Sequence, residues 1–177
     1  HVLYLACAVS GIMISPVPMQ YRAHELEYVV QSTQAKGFVS IQRLGKYMAA
    51  DEVAQMRGAL PSLQWIWAYE DGSGQALPGG VSSLDALLES STPWNDEQMR
   101  AKIERIGLTA NDVFTICWTS GTEARAKGVP RSHNQWLLVG ASVIDAGQMV
   151  QGTQMVIPFP FVNMAGISTS LIAWLMT

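Results

Sequence analysis

The stretch CWTSGTEARAKGVPRSHN, residues 117–134, decides the fold and carries most of the chemistry of this chain. It sets a loop of small and polar residues between an apolar run at 113–118 and a segment with helical spacing. Gly121 has no side chain, which lets backbone amides approach an anion closely. Hydroxyl groups flank it at Thr119, Ser120 and Thr122, and positive charge follows at Arg125 and Lys127. The pattern indicates a loop that holds phosphate after a buried strand.

Short apolar runs alternate with helical patterns along the rest of the chain. The spacing predicts strands at 38–42, 63–69, 113–118, 128–131 and 155–159. It predicts helices at 3–11, 22–36, 51–59, 83–88, 95–106 and 134–150, and a further helix from 165 onward. Such alternation is typical of an α/β fold with a largely parallel sheet flanked by helices.

The composition favours a globular protein with a small-molecule site. The 177 residues are 49% hydrophobic and 14% charged, which is enough to bury one core. The formal net charge is -3, and the basic residues are scattered along the chain. This distribution argues against nucleic acid or an anionic membrane as the principal partner.

Two uncharged stretches, 2–19 and 146–177, are long enough to resemble membrane spans. Prolines interrupt both, and the apolar pieces that remain are shorter than the ~20 residues a span requires, so we expect no membrane span. Cys7 and Cys117 lie in apolar segments far apart in the sequence. This pattern favours reduced, buried thiols and a cytoplasmic protein.

The ends of the chain indicate a piece of a longer protein. The sequence begins with His1 inside an apolar helical pattern, and residues 171–177 carry no helix-stop signal. We expect the uncharged stretch after Asp145 to pack against the remainder. In isolation the piece would expose this apolar surface and self-associate.

Two common catalytic motifs fit the loop poorly. A Walker A loop requires a second glycine and a magnesium-binding hydroxyl where this chain has Ala126 and Gly128. A GxSxG nucleophile elbow around Ser120 requires a glycine where Trp118 stands. Both a P-loop NTPase and a serine hydrolase are therefore disfavoured.

The loop resembles the phosphate loop of the adenylate-forming (AMP-binding) enzymes, a superfamily of acyl-CoA synthetases, peptide synthetase adenylation domains and beetle luciferases. Their pattern runs roughly (aromatic)TSG(S/T)(T/E)GxPKGVxxSHxN. The chain matches it at Trp118, Thr119, Ser120, Gly121, Thr122, Lys127, Gly128, Val129, Ser132, His133 and Asn134. It departs from the pattern at Glu123, Ala124 and Ala126. Because a carboxylate repels phosphate, we expect Glu123 to face solvent or Mg²⁺.

The resemblance implies roles for individual residues. It implies a nucleotide-binding loop made of Thr119, Ser120, Gly121, Thr122, Glu123, Lys127 and Gly128, with Lys127 as the catalytic cation and Thr122 as a candidate Mg²⁺ ligand. The segment FPFVNMAG at 159–166 resembles the family's PLFHxxG element, with asparagine where histidine is common. Since that element lines the acyl pocket in the family, Asn163 and Gly166 are expected at the substrate.

The resemblance also implies a reaction. A small-molecule carboxylic acid would attack the α-phosphate of ATP to give acyl-adenylate and pyrophosphate, and coenzyme A would then displace AMP. The motifs are most similar to medium-chain fatty acid and cyclohexanecarboxylate CoA ligases. Residues 1–177 would form the first part of the large N-terminal domain, with the C-terminal domain absent. We therefore expect the piece to be inactive by itself.

Other interpretations remain open for several residues. Ser132, His133 and Asn134 fit a helix start better than a direct catalytic role, and Asn163 fits a helix cap as well as a pocket group. Glu123 and Ala124 are also compatible with a degenerate, non-catalytic nucleotide-binding or scaffold module of the same fold.

Overall fold

The order of helices and strands follows the alternation in the sequence. The computed structural model describes residues 1–119 and 126–177. In these residues the helices are α1 (Val2–Val9), α2 (Ala23–Thr33), α3 (Ala49–Gln55), α4 (Leu84–Ser90), α5 (Asp96–Ile106), α6 (His133–Gly147), α7 (Met164–Gly166) and α8 (Ala173–Met176). The strands are β1 (Gly37–Ile41), β2 (Trp65–Tyr69), β3 (Ser82–Ser83), β4 (Val113–Thr119) and β5 (Lys127–Ser132). These elements belong to two compact units.

The parallel-sheet unit, residues 18–93, is built on β1, β2 and β3. Strand β2 lies in the middle and pairs in parallel with both neighbours. Each parallel pairing needs a crossover connection, which α3 supplies between β1 and β2. Helix α2 places its apolar residues on one face at helical spacing, and these are the buried ones: Leu26, Val29 and Val30.

The hairpin unit, residues 1–17 and 94–177, is built on β4 and β5, which pair antiparallel. An extended segment around Ile14 lies beside β4 in parallel. The amide of Ile14 donates to the carbonyl of Phe114 (2.9 Å), and the amide of Ile116 donates to the carbonyl of Ile14 (3.0 Å). Strand β4 therefore has a bonded neighbour on each side and lies inside the unit.

A cluster of buried side chains joins β4 to the helices of the hairpin unit. Its members are Tyr4, Phe114, Cys117, Trp136, Ile167, Leu171 and Ile172. Trp136 of α6 donates its indole N–H to Oγ1 of Thr115 at 3.0 Å, and both side chains are buried. The hydroxyl of Tyr4 donates to the carbonyl of Phe161 at 2.8 Å, and burial raises the pKa of Tyr4. The polar atoms of this core are thus paired, as burial requires.

Helix α6 approaches the C-terminal helical segment closely. A π-helical stretch, Ile167–Ile172, connects α7 to α8. A Cβ atom built on Gly140 would lie 2.5 Å from Cγ2 of Ile172 and 2.9 Å from Sδ of Met176. Only a glycine leaves room for these side chains, so α6 packs closely against the segment 164–176 at this position.

The predicted α/β architecture with a parallel sheet and flanking helices is confirmed. The predicted strand at 155–159 is wrong, because these residues have no regular structure and Val156 is 98% exposed. Pro158 and Pro160 each lack the amide donor that a strand ladder uses. Strand β5 runs antiparallel to β4 because a connection as short as 120–126 can only reverse the chain direction.

Both cysteines are free, as predicted. Cys117 is buried and Cys7 is half-buried, and burial raises the pKa of both thiols. Within the described part of the chain, no helix is long and apolar enough to cross a membrane.

The hydrogen bond between Trp136 and Thr115 predicts a stability difference between two similar substitutions. Trp136→Phe leaves the buried Thr115 hydroxyl without its indole donor and should lower the free energy of unfolding by about 1–3 kcal/mol. Trp174→Phe is the matched control, since Trp174 is exposed and should change it by less than about 0.5 kcal/mol. Urea denaturation followed by circular dichroism measures both. Equal losses would contradict a specific role for this bond.

Candidate functional site

The described part of the predicted loop lies at the end of the β4–β5 hairpin where the two strands are connected. Thr119 pairs with Lys127 across the two strands, and Oγ1 of Thr119 donates to the carbonyl of Lys127 at 3.4 Å. Residues 120–126 connect these two positions. The predictions at Ser120, Gly121, Thr122 and Glu123, including the Mg²⁺ ligand at Thr122, lie outside the described residues.

Lys127 is exposed at the first position of β5. In the ranges 1–119 and 126–177 the one ion pair joins Arg43 to Asp71, so no described carboxylate neutralises the ammonium of Lys127. A flexible ammonium in this state is a suitable donor to phosphate oxygens. Thr119, directly across the hairpin, adds a hydroxyl at the same end.

Gly128 packs directly against β4. A Cβ at this position would lie 2.9 Å from Cγ2 of Ile116 and 3.3 Å from the ring of Trp118. The indole N–H of Trp118 in turn donates to Oγ of Ser15 at 2.8 Å. The glycine next to Lys127 therefore allows close packing over a fixed tryptophan, a role that the sequence pattern does not reveal.

Ser132, the first residue of the SHN segment at 132–134, caps the start of α6. Oγ of Ser132 accepts from the amide of Gln135 at 3.2 Å, and Oε1 of Gln135 accepts from the amide of Ser132 at 3.0 Å. This reciprocal pair is a capping box. The helix-start interpretation of Ser132 is confirmed. Asn134 lies inside the first turn of α6, and its backbone amide donates to the carbonyl of Ala110 at 2.7 Å.

His133 lies against an aromatic ring. Its imidazole stacks on Phe114 with ring centroids 5.0 Å apart and planes at 14°.

Asp112, two residues before Phe114, accepts hydrogen bonds from the backbone amide of Thr109 (2.6 Å) and from the hydroxyl of Thr109 (3.0 Å). These bonds hold the pKa of Asp112 below its ordinary value. Asp112 thus orders the turn before β4.

Asn163 and Gly166 form one tight turn. Asn163 caps α7, and its Oδ1 accepts from the amide of Gly166 at 2.7 Å. A Cβ on Gly166 would lie 2.0 Å from the carbonyl oxygen of Pro160, so only glycine fits. Asn163 is half-buried, its backbone amide donates to the carbonyl of Pro160 at 3.3 Å, and its side-chain nitrogen makes no hydrogen bond to the described residues. The cap interpretation is confirmed, and a pocket role stays a prediction.

The hairpin and the 159–166 segment contact each other. Nη2 of Arg131, on β5, lies 3.7 Å from Sδ of Met164, on α7. The π-helical stretch Ile167–Ile172 follows directly, and π-turns occur often at functional sites. The structure thus places the second family-like segment beside the strand that begins with Lys127. No cluster of three or more metal-binding side chains occurs in the parts of the chain that the structure describes.

A sequence model of the AMP-binding enzyme family matches residues 1–177. The chain belongs to the AMP-binding enzyme family. The family match covers both the hairpin and the parallel-sheet unit. It confirms the resemblance of the chain to the adenylate-forming enzymes.

Curated relatives in the AMP-binding family are longer than this chain. A medium-chain fatty-acid–CoA ligase of Escherichia coli is 28% identical over 137 residues, which cover 77% of this chain and 22% of the relative. The mitochondrial medium-chain acyl-CoA ligase ACSF2 of mouse is 26% identical over 181 residues, which cover 93% of this chain and 28% of the relative. The chain spans between a fifth and a third of the length of these relatives.

Solved structures support the fold. Apo MatB from Rhodopseudomonas palustris superimposes with a TM-score of 0.66 at 20% identity, covering 98% of this chain and 29% of MatB. An anthranilate CoA ligase, AuaEII, gives a TM-score of 0.53 at 18% identity over 80% of this chain and 24% of that structure. At these identities the likeness establishes the AMP-binding fold, which the sequence predicted.

Proposed function

We propose that residues 1–177 are part of the large N-terminal domain of an AMP-forming acid–thiol ligase. The whole enzyme would activate a carboxylic acid with ATP as acyl-adenylate, release pyrophosphate and transfer the acyl group to coenzyme A. The observation that carries this proposal is the hairpin end, where the exposed Lys127 and the hydroxyl of Thr119 flank residues 120–126. The names of the E. coli and mouse relatives support the reaction class.

The residues at the hairpin end fit a polyphosphate. Attack of a carboxylate on phosphorus brings two anions together, so the enzyme must supply positive charge and hydrogen-bond donors. Lys127 supplies the charge, and its position at the first residue of β5 is held by the pairing with Thr119. Mg²⁺, when bound, would add further neutralisation, and Thr122 is the ligand we propose for it.

We assign Asn163 and Gly166 to the side of the site that takes the acid. The cap uses Oδ1 of Asn163 and leaves its amide N–H groups without a described partner. An amide donor is suitable for orienting a carboxylate without the charge repulsion that an acidic side chain brings. The contact between Arg131 and Met164 connects this segment to β5.

A non-catalytic module of the same fold is the second candidate. The departures at Glu123 and Ala124 favour it, because both positions lie in the phosphate loop. Such a module would bind nucleotide without exchanging pyrophosphate. We further propose a cytoplasmic location, which the two free cysteines favour.

The proposed role of Lys127 predicts loss of adenylation on its removal. In the full-length enzyme, Lys127→Ala should slow acid-dependent ATP–pyrophosphate exchange by about a hundredfold or more. The variant lacks the ammonium that would neutralise the negative charge of the phosphates in the transition state. Lys36→Ala, in the parallel-sheet unit, is the control and should leave the rate unchanged. The 177-residue chain alone should show no exchange. Wild-type exchange in Lys127→Ala would remove Lys127 from the mechanism.

The two uses of Asn163 predict a specific effect of one substitution. Asn163→Asp keeps an oxygen for the cap but replaces the amide donor with a negative charge, so KM for the acid should rise about tenfold while stability is retained. Asn163→Ser keeps a cap and should raise KM less. Steady-state kinetics and thermal melts test both. An unchanged KM in Asn163→Asp would place the acid elsewhere.

Exposed apolar side chains predict self-association of the 177-residue chain. Leu138 of α6 is 70% exposed and Trp174 of α8 is 55% exposed, on helices that pack together. The double variant Leu138→Lys, Trp174→Gln should shift the mass measured by sedimentation velocity toward the monomer. Leu88→Lys, on α4, is the control and should leave the mass unchanged. A monomeric wild-type chain would overturn this proposal.

A further inference from the structure

We propose that helix α5 carries a second ligand site, which binds a purine nucleotide through stacking on Trp94 and phosphate contacts to Lys102 and Arg105. The site is an open groove of about 460 Å³ in the hairpin unit. Its described lining residues are Trp94, Gln98, Ala101, Lys102 and Arg105, none of which belongs to β4 or β5.

Helical spacing creates the groove. Gln98, Ala101, Lys102 and Arg105 follow one another at intervals of three, one and three, which places them on one face of α5. Ala101 is the smallest of them and leaves a floor between longer side chains. Trp94 stands just before the N-cap Asn95 and is 52% exposed, so its ring forms one wall at the start of the helix.

Charge on α5 is separated between its faces. The helix contains three acidic residues, Asp96, Glu97 and Glu104, and none of them lines the groove. Lys102 and Arg105 do line it, and neither belongs to an ion pair in the described part of the chain. The groove therefore presents two cations with no neutralising carboxylate, on a chain whose net charge is -3.

The aromatic wall and the cations act together. Nζ of Lys102 lies 5.9 Å from the centroid of the Trp94 ring, at the outer limit of a cation–π contact. The ammonium lies over the face of the ring, so a base that stacks on this face would displace the flexible Lys102 side chain from above the indole toward the edge of the base. Arg105 follows three residues later, about 4.5 Å further along the helix axis. At this distance it would reach the phosphates of the same bound nucleotide as Lys102.

These features select a nucleotide over simpler anions. An exposed indole stacks on the face of a base, and stacking is favourable for any base. Arg and Lys bind phosphate oxygens, Arg with a planar fork of donors. The amide of Gln98 both donates and accepts, as the edge of a purine requires. Inorganic phosphate would not use Trp94, and an acidic peptide would not use Gln98 in this way.

Calorimetric titration with ADP tests the site. The Lys127→Ala background weakens ADP binding at the proposed phosphate loop, and the groove variants then report binding at α5. Trp94→Leu and Lys102→Gln should each weaken ADP binding by about tenfold, because each removes one of the two contacts. Trp94→Phe keeps an aromatic ring and should restore most of the affinity. Arg100→Gln, a charge change of equal size outside the groove, is the matched control and should bind as the parent does.

Three results would overturn the proposal. One is the absence of ADP binding in the Lys127→Ala chain. Another is equal affinity for pyrophosphate and ADP with no effect of Trp94→Leu, which would indicate a simple anion site. The third is an equal loss in Arg100→Gln and Lys102→Gln, which would indicate non-specific charge attraction. Circular dichroism of each variant confirms that these exposed substitutions leave the fold intact.

Discussion

The antiparallel register of β4 and β5 is the constraint on which the candidate site depends. It holds Thr119 opposite Lys127 and so brings the two ends of residues 120–126 together. Burial of Phe114, Thr115 and Cys117 anchors β4 in the core, and Trp136 joins α6 to the same strand. Stability and function are connected here, because the hydrogen bonds that form the hairpin also position its terminal lysine.

Local signals in the sequence predicted much of the fold. The helix α6 begins where the SHN segment indicated, since a serine with a glutamine three residues later is a self-contained cap. Strands β1, β2 and β4 appeared as short apolar runs, and in β2 the buried residues Ile66 and Ala68 alternate with more exposed ones, as expected of a strand with one buried face. The segment 155–159 has the same apolar composition without being a strand. The apolar run favoured a strand, although the prolines that the sequence shows in it and directly after it remove donors from a strand ladder.

The candidate site was predictable where one position has one role. Lys127 and Thr119 follow from the motif, and the structure places them together. Residues with two roles were harder to interpret. Asn163 caps a turn with its side-chain oxygen, while its side-chain nitrogen has no hydrogen-bond partner among the described residues, and only the structure reveals this division. The groove on α5 has no motif, because its residues are chemically unlike one another and share only a face. Gly128 packs closely on the ring of Trp118 in the neighbouring strand, and the amino-acid sequence alone does not show such a cross-strand contact.

The contact at Gly140 has a mechanical consequence. Helix α6 starts one residue after β5 ends, and its middle rests on Ile172 with no space to spare. The same C-terminal segment begins with the turn made by Asn163 and Gly166. A tilt of α6 toward this segment would press Gly140 against the side chains of Ile172 and Met176, so the segment 164–176 would have to shift with the helix. In the proposed enzyme, a shift of α6 behind the Lys127 hairpin would therefore be accompanied by a shift of the segment that begins at Asn163.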